Sequence, residues 1–156
     1  MARRRRAEKR RVDPDPKYQS LMLARFINKT MRSGKKSTAQ RIVYSALEII
    51  ENTEKKSGMD VFEQAIRNTS PLLEVKPRRV GGATYQVPRE VRSDRSLTMA
   101  MRWLLAASRA KTGRPMANKL AEELMDAAKG QGAAAKRRED LHRMAEANRA
   151  FVHYRW

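Results

Sequence analysis

Two adjacent glycines constrain the fold of this chain more than any other feature, because they interrupt an otherwise helical pattern of apolar residues. Residues 76–91 read KPRRVGGATYQVPREV, with a short extended segment on each side of the glycines. Glycine tolerates positive φ at both central positions of a two-residue hairpin turn. With Gly81 and Gly82 as that turn, Val80 pairs with Ala83, and the sequence predicts one β-hairpin within a helical protein.

Two placements of this hairpin are compatible with its sequence. Neither face is cleanly apolar, and an isolated two-stranded ribbon is only marginally stable in water. Pro77 and Pro88 cannot donate to a strand ladder, which suits a ribbon with two free edges. One interpretation lays the ribbon flat over the helices through Val75, Val80 and Val87. The other, which we favour, is an arm that projects from the helical body.

A projecting arm would suit contact with nucleic acid. In the predicted register Arg78 lies opposite Tyr85, and Arg79 lies on the other face. Arginine binds phosphate and a tyrosine ring stacks on an unpaired base. The two glycines at the tip have no side chains, so the backbone there is expected to approach another macromolecule closely.

Apolar residues recur at the spacing of an amphipathic helix in six segments. The clearest begins at Lys35, where they repeat at helical intervals from Ala39 to Ile50. Gly113 and Gly130 end two of the later segments, as glycine often does. The hairpin falls between the third and the fourth segment.

These patterns predict a mainly α fold, a six-helix, bundle-like single domain with one protruding two-stranded β-hairpin and a basic N-terminal arm. A chain of 156 residues is long enough for one compact domain. The predicted boundaries are 1–17 for the arm, 18–149 for the helical domain with its hairpin at about 73–91, and 150–156 for a C-terminal tail.

The charge of the chain is large and unevenly distributed. The formal net charge is +18, and two blocks supply it: residues 1–41 hold 14 Lys and Arg against 3 Asp and Glu, and residues 76–119 hold 11 against 2. Residues 42–75 hold 3 against 6. Because a compact cationic body repels itself, this segregation indicates a surface that meets a polyanion, for which nucleic acid is the leading candidate.

Within these blocks the basic residues predicted to bind phosphate fall in four groups. They are Arg3, Arg4, Arg5, Arg6, Arg10 and Arg11 in the arm; Lys35, Lys36 and Arg41 at the start of the second helix; Arg78 and Arg79 in the hairpin; and Arg92, Arg95, Arg102, Arg109, Lys111, Arg114 and Lys119 along the fourth helix and the loop after it. Cations at a helix start oppose the helix dipole, so an external anion is expected there. The alternatives are a solubilising tail and a solvated helix face.

The alternative functions are a DNA-binding regulator and another kind of RNA-binding helical protein. The first is considered because the fourth and fifth helices with a glycine-containing turn resemble a helix-turn-helix. The fifth helix carries Glu122, Glu123 and Asp126, however, and acidic residues make a poor recognition surface for DNA. Basic charge spread over an arm, a hairpin and several helix starts suits a folded RNA better.

No catalytic constellation is recognisable. The chain has no cysteine, and no metal-ligand spacing or phosphate-binding loop is present. Its two histidines fall on a helix flank and in the C-terminal tail, positions more typical of packing or surface residues than of a catalytic base. We therefore expect no enzyme activity, metal or cofactor. The charged start lacks the apolar run of a signal peptide, and no 18 apolar residues occur in succession, so we expect a soluble, cytoplasmic protein without a membrane partner.

Several long motifs closely resemble the bacterial form of the small-subunit ribosomal protein seven family. These motifs are RRVGGATYQVP, DPKY, FINKTMRSGKK, MRWLL, ELMDA and REDLHRMAEANRAFVHYRW, and the resemblance covers essentially the whole chain. It implies a helical body with a protruding hairpin, and a primary binder of 16S rRNA that nucleates folding of the head, the 3′ major domain.

The resemblance also implies further partners. A family member lies at the subunit interface near exit-site tRNA and the mRNA path, beside small-subunit ribosomal protein eleven and other head proteins. The residues expected near tRNA or mRNA are Arg78, Arg79, Gly81, Gly82, Tyr85 and Arg143.

Overall fold

The computed structural model describes residues 11–154, and these form six α-helices, one two-stranded sheet and one short 3₁₀ helix. The α-helices are α1 (Leu21–Thr30), α2 (Lys36–Glu54), α3 (Gly58–Thr69), α4 (Ser93–Ala110), α5 (Met116–Ala128) and α6 (Gly132–Ala147). Strands β1 (Leu73–Val80) and β2 (Ala83–Glu90) lie between α3 and α4, and the 3₁₀ helix is Arg149–Tyr154. The predicted mainly α fold with six helices and one hairpin is confirmed. The 3₁₀ helix was not predicted, because that segment was expected to be a tail.

The described residues group into two compact units, 11–40 and 41–154. In the first unit the Ser20 side chain caps α1 by accepting a hydrogen bond from the Leu23 backbone N–H at 3.3 Å. Phe26 and Ile27 on the same helix are buried. The predicted division into an arm, a domain and a tail remains a prediction.

The core of the second unit lies among the helices that flank the hairpin in sequence. Helix α5 packs against α3, α4 and α6. Phe62, Leu104 and Leu124 are fully or almost fully buried and come from α3, α4 and α5, as the helical spacing of apolar residues predicts. The Asn68 side chain donates hydrogen bonds to the carbonyls of Ala127 and Ala128 at 3.0 and 2.8 Å. These bonds satisfy carbonyl groups at the end of α5 that have no partner within the helix.

The hairpin has the predicted register. Val80 pairs with Ala83, and the φ angles of Gly81 and Gly82 are 57° and 87°. Positive φ at both central residues is the geometry of a type I′ turn, which favours glycine because a Cβ atom clashes there. At the open end of the ribbon, the Val91 backbone N–H donates to the carbonyl of Leu72 at 2.9 Å.

An ion pair and a hydrogen bond anchor the base of the hairpin to the start of α4. Glu74 on β1 is only 6% exposed, and it accepts from Arg95 Nε at 2.7 Å and pairs with Lys76 Nζ at 3.2 Å. Burial alone would raise the pKa of the Glu74 carboxyl, but the bonds from Arg95 and Lys76 lower it below its ordinary value. The Ser96 hydroxyl also donates to the carbonyl of Pro71 at 2.8 Å. The base of the hairpin is thus fixed to α4.

A histidine on α6 also contacts the base of the hairpin. His142 Nε2 accepts a hydrogen bond from the Leu72 backbone N–H at 3.0 Å, so the ring proton must lie on Nδ1 when the ring is neutral. Burial, with a smaller effect from the charge of Arg138, lowers the pKa of His142. A protonated ring has no acceptor for the Leu72 N–H, so this bond exists only in the neutral state.

We expect stability to fall as the pH drops below the ordinary histidine pKa of about 6.5. Since the folded-state pKa of His142 is lower than that of the unfolded chain, acid favours the unfolded chain, which takes up the proton more readily. The stabilisation is therefore fully present above pH 6.5 and is lost as the pH falls through the folded-state pKa. Urea unfolding at pH 7.5 and at successively lower pH measures this loss. The variant His142→Gln keeps a hydrogen-bond acceptor without titrating, and an unchanged pH dependence in this variant would contradict the assignment.

Candidate nucleic-acid interface

One side of α4 carries a stripe of exposed arginines. Arg95, Arg102 and Arg109 are spaced by seven residues, which places them within a narrow arc of the helix surface and about 10 Å apart along its axis. All three are exposed, whereas Met101 and Leu104 on the other side are almost completely buried. Helix α4 is therefore held by its apolar side and presents guanidinium groups on the opposite side.

The two arginines at the start of α4 have different surroundings. Arg92 is the exposed N-cap residue of the helix. Arg95 is 56% exposed while its Nε is bonded to Glu74, so it both anchors the hairpin and remains accessible. The first turn also contains Asp94, and Arg95 is paired with Glu74, so acidic groups balance part of the positive charge at this helix start.

Lys111 lies in the loop between α4 and α5 and contacts three carboxylates. Its Nζ is 3.6 Å from Glu122, 3.2 Å from Glu123 and 3.4 Å from Asp126. Burial would lower the pKa of this ammonium, but the hydrogen bond to Glu123 and the three negative charges raise it. From the sequence, Lys111 was predicted to bind phosphate because it lies in a block with 11 basic and 2 acidic residues. The structure supplies compensating charge from α5, which argues against Lys111 as a phosphate contact.

Glu123 explains why this cluster forms. The side chain is 1% exposed, and its Oε1 accepts a hydrogen bond from the Ala134 backbone N–H at 3.0 Å, at the start of α6. A carboxylate at a helix start satisfies a free N–H group and interacts favourably with the helix dipole. Its second oxygen faces Lys111, so the lysine balances a buried charge that joins α5 to α6.

We expect Lys111→Ala to destabilise the protein by about 1–3 kcal/mol, because the buried Glu123 carboxylate loses its counter-ion. Urea unfolding without RNA measures the change. The matched pair Lys111→Met with Glu123→Gln removes both charges and should recover part of the loss. If Lys111→Ala leaves the unfolding midpoint unchanged and weakens RNA binding instead, the structural role is wrong.

Most of the other predicted contact residues are accessible. Exposed are Arg11, Lys35, Lys36, Arg41, Arg79, Arg92, Arg95, Arg102, Arg109, Arg114 and Arg143, while Arg78, Lys111 and Lys119 are half-buried. The predicted contacts Arg3, Arg4, Arg5, Arg6 and Arg10 lie outside the described residues. Arg114 is 3.8 Å from Glu122, a solvated pair that costs little to open.

Within residues 11–40, Arg11 and Lys36 border a cleft of about 500 Å³. The side chains of Asn28 and Gln40 also border it. Lys35 and Lys36 lie at the start of α2, with no acidic residue in the first turn. No acidic residue in this turn offsets the two lysines, and their contact with phosphate remains a prediction.

Tyr85 has intramolecular partners. Its ring lies 5.2 Å from the ring of Phe151 and 5.1 Å from that of Tyr154, the latter nearly parallel to it. Tyr85 thus packs on the 3₁₀ helix and is half-buried, and its stacking on nucleic acid remains a prediction. Arg143 is 79% exposed and lies 3.7 Å from Asp140.

The sequence analysis missed the role of Phe151 and Tyr154. Three aromatic residues between 151 and 156 were the available signal, but six residues are too few to show a periodicity. Among residues 11–154 no cluster of three or more potential metal ligands occurs. None of the helices in this described part is long and apolar enough to span a bilayer.

Comparisons with known proteins give a consistent picture. The family model described as ribosomal protein S7p/S5e matches residues 2–149. The small ribosomal subunit protein uS7 of Dehalococcoides mccartyi is 62% identical over 156 residues, covering all of both chains. The protein of the same name from Xanthobacter autotrophicus is 58% identical over 156 residues, covering all of both chains. That from Thermotoga neapolitana is also 58% identical, over 154 residues and 99% of both chains. The chain therefore belongs to the ribosomal protein S7p/S5e family.

Proposed function

We propose that this protein is a structural constituent of the small ribosomal subunit that binds 16S rRNA and has no catalytic activity. The single observation that carries the proposal is the construction of α4, with a buried apolar side and an exposed side bearing Arg95, Arg102 and Arg109. Family membership supports the ribosomal assignment. As a constituent of the small ribosomal subunit, the protein is located in the cytoplasm.

The mechanism follows from charge and rigidity. Several rRNA helices that meet at a junction repel one another through their phosphates. A folded cationic body that touches more than one helix neutralises part of that charge and releases counterions, which lowers the free energy of the assembled junction. Such contacts fix the position of the protein without reading base sequence, and the RNA is recognised by its shape.

The finer assignment is a primary binder that nucleates the head of the subunit, the 3′ major domain of 16S rRNA. The hairpin tip would approach exit-site tRNA and the mRNA path, with small-subunit ribosomal protein eleven and other head proteins as neighbours. The exposed Arg79, Gly81 and Gly82 support a role of the tip in an external contact.

The test is direct binding to isolated RNA domains. We expect the purified chain to bind a fragment containing the 3′ major domain, and chemical footprinting to protect nucleotides there. A fragment of the 5′ domain of equal length is the control for nonspecific cation binding, and duplex DNA of equal charge tests the DNA-binding alternative. Equal affinity for all three would contradict the proposal, and selective binding of the duplex would favour a DNA-binding regulator.

A further inference from the structure

The two faces of the hairpin differ in exposure. Because side chains alternate along a strand, Tyr85 and Val87 lie on one face of the ribbon, and Arg79, Thr84 and Gln86 lie on the other. Val87 is 4% exposed and Tyr85 is half-buried, whereas Arg79, Thr84 and Gln86 are exposed. The difference is confined to the part of the ribbon beyond its base, because Pro88 on the second face is buried. We call the two faces the covered face and the open face.

The 3₁₀ helix Arg149–Tyr154 produces this difference. It packs against β2, where Phe151 and Tyr154 both contact the ring of Tyr85. Tyr85 is three residues after Gly82 along its strand, so the aromatic contact holds the ribbon beyond its base. The ion pair between Glu74 and Arg95 fixes only the base. The hairpin is therefore held both at its base and closer to its turn.

We propose that Phe151 and Tyr154 are positioning residues, which hold the covered face so that the open face, with Arg79, is the one that meets RNA. This inference rests on the proposed function and refines it. Arg78, although adjacent to Arg79, lies on the covered face and is half-buried. Both arginines were predicted from the sequence to bind phosphate, although the predicted register already put them on opposite faces.

Physical reasoning supports a positioning role. A two-stranded ribbon with no packed face samples many orientations because little apolar surface is buried. Aromatic rings prefer offset or tilted contacts with one another. Their packing therefore favours particular orientations of the ribbon in addition to burying apolar area. Fixing the ribbon before it meets its partner removes ordering entropy that would otherwise oppose binding.

The absence of cysteine from the sequence permits a clean experiment. The variants Thr84→Cys and Ala83→Cys place one thiol on the open face and on the covered face respectively, and both positions are exposed near the tip. Each thiol is coupled to a short photoreactive crosslinker. The labelled chains are assembled into small subunits carrying mRNA and tRNA, and crosslinks to any RNA are counted.

We expect the Thr84→Cys chain to crosslink RNA several-fold more than the Ala83→Cys chain. Adding Phe151→Ala and Tyr154→Ala should abolish this preference and speed hydrogen exchange of the hairpin amides, while the 16S rRNA footprint of the body stays unchanged. Tyr154→Phe retains the ring and should preserve the preference, as should Val152→Ala on the same 3₁₀ helix.

Equal crosslinking from the two faces, no crosslinking from either, or a preference that survives loss of both rings would each overturn the inference. In these cases a normal body footprint leaves the proposed function intact. If the unsubstituted chain fails to bind rRNA at all, the proposed function falls and this inference falls with it.

Discussion

Replacing Leu124 with aspartate is expected to unfold residues 41–154 at temperatures where the unsubstituted chain stays folded. Leu124 is 1% exposed on α5, the helix that packs against α3, α4 and α6. An aspartate there would bury a charge with no counter-ion and remove apolar contacts. The expected cost of roughly 4–5 kcal/mol or more is comparable to the whole stability of a typical domain, about 5–15 kcal/mol.

Circular dichroism and thermal melting measure this effect. The matched control is Asn118→Asp, which adds the same charge to an exposed position on the same helix and should leave the melting temperature nearly unchanged. Retention of helicity and melting temperature by Leu124→Asp would show that the core has been misplaced. Met101→Asp, on the buried side of α4, is expected to behave like Leu124→Asp.

The second large effect is on RNA affinity. Replacing Arg92, Arg102 and Arg109 with alanine should weaken binding to 16S rRNA without unfolding the protein. Each lost phosphate contact reduces the dependence of log affinity on log salt by about 0.7–0.9, so three contacts should reduce the slope by about two to three. Arg95 is left intact because it also holds Glu74 at the base of the hairpin.

A charge-matched variant tests whether position matters. Lys55, Lys56 and Arg67 are the only basic residues between 42 and 75, and replacing them with alanine removes the same formal charge from an exposed, acidic part of the chain. Filter binding at several salt concentrations should show a much smaller loss for this variant. Equal losses for the two triple variants would mean that net charge, and not the α4 stripe, controls binding.

Much of the fold was predictable from local patterns. Six helices follow from apolar spacing, and the hairpin register follows from Gly81 and Gly82, because a two-residue turn leaves one pairing between the strands. The exposed side of α4 was also predictable, since the seven-residue spacing of its arginines fixes their direction.

The contacts that could not be predicted join residues far apart in sequence. No local pattern shows that Glu123 is buried at the start of α6 or that Lys111 neutralises it. Likewise, the stacking of Tyr85 on Tyr154 depends on where α6 directs the chain after Ala147. Composition located the charge, but only the tertiary structure shows which cations already have a partner within the chain.

The central claim is that exposed cations on a folded body neutralise ribosomal phosphates. The salt dependence of rRNA binding tests this claim most directly. The affinity of the unsubstituted chain for the 3′ major domain should be measured across a series of potassium concentrations. We expect log affinity to fall linearly with log salt, with a slope of about −0.7 to −0.9 for each neutralised phosphate and a steep total. An affinity that is nearly independent of salt would contradict the account.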